Sequence, residues 1–107
     1  MKIEVIAFYP SVFKAKSSIM LGSMHVRLPD CDIDIRGIRV FQKKNRLLFF
    51  QNRGCYHDEQ GKIKHYPIFS FNSVEKNKEF VEALAIAGRQ FIERNFSKCI
   101  LKPPYRI

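Results

Sequence analysis

Acidic residues are scarce in this 107-residue chain: 10 Asp plus Glu stand against 19 Lys plus Arg, a formal net charge of +9. An imbalance of that size calls for an anionic partner, and nucleic acid is the commonest one. Long apolar runs are missing too, and none approaches the ~20 residues of a membrane-spanning helix. Cysteine is sparse, with Cys31, Cys55 and Cys99 at irregular spacing. An odd, irregular set excludes a disulfide framework and suits a reducing compartment, so the cytoplasm is the expected location. At the N-terminus, Glu4 interrupts any apolar stretch that an export signal needs. There is no Gly-rich phosphate loop and no Ser-containing nucleophile elbow. Internal repeats, low-complexity tracts and a second-domain linker are also absent.

What is present suffices for one core. Hydrophobic residues make up 46% of the chain and ten are Phe, which argues for a folded domain rather than disorder. The length fits a single domain over 1–97, followed by a basic tail over 98–107 in which Pro103-Pro104 forbids helix.

Strand signals dominate the first two thirds. Lys2 to Phe8 alternates at its start, and Tyr9-Pro10-Ser11 is expected to break it. From Ser18 to Leu28, Met20, Gly22, Met24, Val26 and Leu28 share one face, while Ser23, His25 and Arg27 share the other. Over Ile33 to Phe41 the apolar parity changes across Arg36-Gly37. Either a β-bulge sits there, which Gly tolerates, or the strand is buried on both sides near Ile38 to Phe41. Leu47 to Phe50 is a continuous apolar run and reads as a central strand covered on both faces. Asn52 to Gly61 reads as a polar loop. Lys62 to Ile68 is the last strand, confined by Pro67 to an edge or an end.

The final third is helical. Asn72 is the expected cap with Glu75 three residues on. An apolar stripe then runs through Phe80, Val81, Leu84, Ala87, Gly88, Phe91 and Ile92, and the helix ends near Asn95. A one-sided helix needs a sheet face to cover. The expected fold is therefore α+β, an antiparallel sheet of four to five strands followed by a packed C-terminal helix. Its uncovered face and edges invite a second copy, and a homodimer is expected.

Gly37-Ile38-Arg39-Val40-Phe41, the connection containing Lys44-Asn45, and Leu47-Leu48-Phe49 resemble the stage V sporulation protein G (SpoVG-like septation regulator) family. Asp58 to Gly61 takes the place of that family's Asp-Gly turn, and His65-Tyr66-Pro67-Ile68 the place of its strand end before the helix. The resemblance spans roughly 18–84. It implies a twisted antiparallel sheet with a helix, a dimer, and site-preferring binding of DNA and RNA.

The basic residues form identifiable groups. Lys43, Lys44 and Arg46 share one turn, and Arg53 lies just beyond the next strand. Lys62, Lys64 and Tyr66 have one parity on the last strand, so a ring can stack beside the charges. Cations for phosphates and an aromatic platform for bases are what a nucleic acid needs. These seven residues are the expected nucleic-acid contact. Lys98, Lys102, Tyr105 and Arg106 in the tail offer an auxiliary one. The competing class is a protein–protein module that uses a sheet edge, with the charge serving solubility or an acidic partner.

Other chemistry has less behind it. Cys55, His57, Asp58 and His65, with Cys31 or His25 as a fourth ligand, match no common zinc spacing, and no metal or cofactor is expected. A Cys55/His57 or Cys55/His65 pair lacks an orienting group and an oxyanion hole. Asp32 and Asp34 read as solvated carboxylates. The chain is not expected to be an enzyme.

Overall fold

The computed structural model describes residues 1–95, so the basic tail lies outside the described residues. Six strands and one helix follow in chain order: β1 (Glu4–Lys14), β2 (Ile19–Leu28), β3 (Ile33–Lys43), β4 (Arg46–Phe50), β5 (Arg53–His57), β6 (Ile63–Pro67) and α1 (Val74–Asn95). Strands β1 to β4 form an antiparallel sheet in sequential order, and β5 and β6 form a separate antiparallel ribbon. The fold is α+β, as the patterning indicates.

Two strands change face along their length, and both changes occur at glycine. On β3, His25 of β2 stands against the two residues Arg36 and Gly37, because Met24 pairs with Ile38 and Val26 with Ile35. This is the bulge alternative. Gly37 takes φ 75°, a left-handed conformation that glycine adopts without steric cost. On β2 the switch falls at Gly22, where the pairing with both neighbours is irregular. Ile19 and Leu21 therefore reach the same core as Met24, Val26 and Leu28, despite opposite parity. Gly22 has φ 153°, and the backbone of β1 crosses where its Cβ would stand.

The core lies between one sheet face and α1. Ile38, Val40 and Ile35 from β3 join the β2 residues, and Phe80, Leu84 and Ile92 enter from the helix. At either side of the sheet, the Phe8 ring stands 6.4 Å from Phe91 and the Phe49 ring lies against Gly88. Phe69, Phe71 and Phe80 form a mutual edge-to-face cluster, with centroids 5.2 to 5.8 Å apart, that ties the helix entry to the sheet.

Several expectations are corrected. The chain does not break at Tyr9-Pro10-Ser11: β1 continues to Lys14, and an outer strand tolerates the missing amide of Pro10. The run at Leu47 to Phe50 is an edge strand, with β2 and β3 the central ones. Arg53 to His57, within the expected loop, is β5. Pro67 does fall at the end of a strand, opposite Arg53. The helix is capped by Ser73 rather than Asn72: the Lys76 amide donates to Ser73 Oγ at 3.2 Å, and Ser73 Oγ bonds Glu75. Val81 leaves the buried stripe and is 55% exposed.

Candidate nucleic-acid interface

The sheet face opposite α1 carries no covering layer among the described residues. Alternation dictates what it displays, since Leu47 and Phe49 point to the core and Arg46, Leu48 and Phe50 therefore point away. Register then aligns these with β3. Lys43 stands opposite Arg46, Phe41 opposite Leu48, and Arg39 opposite Phe50. The rows extend across the sheet, from Phe41 to Met20 and Phe13, and from Arg39 to Ser23 and Tyr9. Phe41 and Phe50 meet edge to face at 5.7 Å between centroids. Rows of cation and ring thus alternate from the β3–β4 turn inward.

Arg39 is the unusual member. Its Nε is buried and has no hydrogen-bond partner. A buried donor left unsatisfied costs about 1–3 kcal/mol. Among the described residues no ion pair engages its guanidinium, so an incoming anion would meet a cation whose partner is missing.

Beyond Phe50 the track continues onto the ribbon. Phe50, Arg53, His65, Tyr66 and Pro67 line one depression with Phe49 and Gln51. On the ribbon, Tyr66 pairs with Gly54 and Lys64 with Tyr56, so Lys64, Tyr56 and Tyr66 share a face. The two tyrosine rings stand 6.2 Å apart. Gln51 fastens the ribbon to the body: its Nε2 donates to the Phe69 carbonyl at 2.6 Å, and its Oε1 accepts from the Phe69 amide at 2.9 Å.

The seven expected contact residues thus fall into three groups. Lys43, Lys44 and Arg46 line one depression with Leu48 at the end of the sheet. Arg53 and Tyr66 both line the depression at the ribbon's base, but from opposite faces of the ribbon, since Arg53 pairs with Pro67 and Tyr66 with Gly54. Lys64 lies farther out, with its Nζ 4.0 Å from Asp58, and Lys62 precedes β6 rather than belonging to it. Sequence reasoning missed Arg39, Phe41, Phe50 and Tyr56 as parts of the same track. The signal was the period-two spacing of Arg39, Phe41 and Lys43.

Lys44 opens the two-residue turn with φ 56°. A left-handed side-chain-bearing residue costs roughly 1–2 kcal/mol, of which glycine's greater freedom when unfolded returns about 0.5–1 kcal/mol. Lys44→Gly is therefore expected to raise unfolding free energy by about 0.5–1 kcal/mol in a denaturant titration. The same variant removes a cation from the track, so its stability and its affinity should move in opposite directions.

A polar cluster occupies another part of the uncovered face. Arg27 donates to both oxygens of Asp34, at 2.6 and 3.0 Å, and His25 Nε2 lies 2.9 Å from Asp34 Oδ2. The hydrogen bonds from Arg27, then from His25, hold the Asp34 carboxyl well below the usual carboxylate range. A depressed carboxyl stabilises the fold above its unfolded value of about 4, and that contribution disappears as pH falls toward the folded value. Asp34→Asn is expected to lower stability at neutral pH and to flatten the acid side of the stability–pH curve. Denaturation midpoints at a series of pH values check this; parallel curves would assign the acid sensitivity elsewhere.

The remaining candidates do not converge. Asp34 serves Arg27 rather than a metal ion, and Asp32 lies in the turn after β2 with φ 54°. Cys55 pairs with His65 across the ribbon and His57 with Ile63, yet no hydrogen bond joins the thiol to either imidazole. Among the described residues, no group of three or more His, Cys, Asp or Glu is placed to hold a metal ion. No helix in them is long and apolar enough to cross a membrane.

The chain matches no family model, no curated protein and no solved structure.

Proposed function

We propose that this protein binds DNA or RNA through the outer face of β3 and β4 and the adjoining face of the β5–β6 ribbon. It acts as a cytoplasmic homodimer without catalysis, in keeping with its resemblance to SpoVG-like regulators. The observation that carries the reading is Arg39, whose Nε is buried without a partner in a row with Phe50 and beside the Phe41 row. A phosphate supplies the acceptor that this donor lacks, and the neighbouring rings offer π-faces to bases. Lys43, Lys44, Arg46, Arg53 and Lys64 extend the positive potential at both ends. Rings can receive only unstacked bases, so single strands are expected to bind more tightly than duplex.

Binding led by phosphates releases counterions. For single strands, log affinity falls with log salt at a slope of roughly −0.7 per phosphate contacted. Labelled single-stranded and duplex DNA and RNA, titrated at two salt concentrations, are expected to show that decline. Absence of binding at low salt would sink the proposal, and a salt-independent affinity would sink its phosphate mechanism. Sedimentation is expected to show a dimer, and a monomer at every concentration would exclude one.

A further inference from the structure

Along the free edge of β4, a cleft of ≈ 590 Å³ opens between this strand and α1. We infer that this cleft binds an extended acidic segment of a partner protein, added as a fifth strand beside β4. The inference shares Arg46 alone with the nucleic-acid reading.

Three observations carry it. The first is an orphan acceptor. Gln42 lines the cleft and is 2% exposed; its Nε2 donates to the Lys44 carbonyl at 3.1 Å, but its Oε1 is buried with no partner. A ligand that brings a donor recovers the roughly 1–3 kcal/mol such a group costs when unpaired.

The second is the free edge. Among the described residues β4 pairs only with β3. In a hairpin closed at Lys43–Arg46 by two turn residues, alternate residues direct their N–H and C=O groups outward. Those residues are Leu47 and Phe49, whose side chains also line the cleft. A strand laid beside β4 therefore finds backbone partners, and every second side chain enters the cleft. Leu84 helps form its floor, and Val81, 55% exposed on the helix, forms the far wall.

The third is charge. Arg46 and Arg89 line the cleft, and its one acidic residue, Glu93, has a partner already. A second copy brings the same net charge of +9 toward these arginines, whereas an acidic segment complements them.

The test uses the full chain and a fluorescent peptide of about nine residues that alternates Val and Glu. Two further peptides replace every Glu by Lys, or the three central residues by Pro. The Val/Glu peptide is expected to bind saturably, and the Lys and Pro peptides to bind at least about tenfold more weakly. Val81→Glu and Arg89→Glu are each expected to weaken the Val/Glu peptide by about tenfold, with unfolding midpoints unchanged because both side chains are exposed. Hydrogen exchange should slow at the Leu47 and Phe49 amides when this peptide is added. The inference is overturned by no saturation at ~1 mM peptide, by equal binding of the Pro peptide, or by protection appearing on β1 or the ribbon instead. It is also overturned if those two amides are already protected in the free chain, since the edge would then be occupied by a second copy or by residues 96–107.

Discussion

Gly22→Ala is expected to be the most damaging single-atom addition in the described part of the molecule. A Cβ at residue 22 would collide with the Tyr9 carbonyl oxygen and stand 2.8 Å from the Phe8 ring and 3.0 Å from Pro10 Cα. Two of these three neighbours are backbone atoms of the paired strand, so no rotamer change relieves the clash. The φ of 153° adds strain of order 1–3 kcal/mol for a residue with a side chain. Overpacking adds about 1–3 kcal/mol. Together they make about 2–6 kcal/mol, a large share of the 5–15 kcal/mol typical of a whole domain. The expected outcome is a denaturant midpoint shifted far below wild type, or failure to fold. A shift under about 1 kcal/mol would show that β1 can move away at little cost. Gly22 is where β2 changes the face it buries, so the loss would reach Leu21 and Met24 on either side.

Charge reversal of Lys43, Lys44 and Arg46 to Glu is expected to weaken single-stranded nucleic acid by at least ~100-fold at low salt, with little change in stability. All three are exposed, so the substitution buries no new charge. Removing three phosphate contacts should flatten the salt slope by about 2, at ~0.7 per contact. Phe50→Ala probes the other half of the mechanism. A stacked base contributes roughly 1–3 kcal/mol, about 5- to 150-fold in affinity, and its loss should leave the salt slope unchanged. The two variants therefore differ in kind. One moves the slope and the other only the intercept. If neither changes affinity, the outer face of β3 and β4 is not the interface.

Legibility in the sequence depended on whether a local pattern answered the question. The α+β class followed from period-two runs ahead of a helical stripe. The parity change at Gly37 was visible because Ile35 and Ile38 cannot share a face in an unbroken strand, but it left a bulge and a doubly buried strand open, and only the pairing with β2 decides for the bulge. By contrast, β5 was invisible: Arg53-Gly54-Cys55-Tyr56-His57 buries neither face, so no apolar alternation marks it. The apolar run in β4 suggested a central strand, but Leu48 and Phe50 instead join the outer-face patch. Asn72 and Ser73 are both good caps, and only the helix's first turn decides between them. In the interface, the turn cations could be read from composition. Arg39 could not, because its lack of a partner is a property of packing. The cleft beside Gln42 was hidden for the same reason: a polar residue between Phe41 and Lys43 gives no hint that its acceptor is buried.

The ribbon's attachment also bears on how the molecule opens. Two-stranded hairpins are marginally stable alone in water. Beyond Arg53 and Pro67 the ribbon's two flanks stay joined to each other, by a 3.3 Å bond from the Ile68 amide to the Asn52 carbonyl and by the paired bonds of Gln51 with Phe69, whose ring packs against the core. So slender a joint makes β5 and β6 a separate cooperative unit, able to fray while the four-stranded sheet stays intact. Two melting events rather than one are then expected. On the proposed interface, the ribbon half is then expected to order on docking against a sheet half that is already rigid. Temperature should erode the contribution of Tyr66 and Lys64 well before that of Arg39 and Phe50.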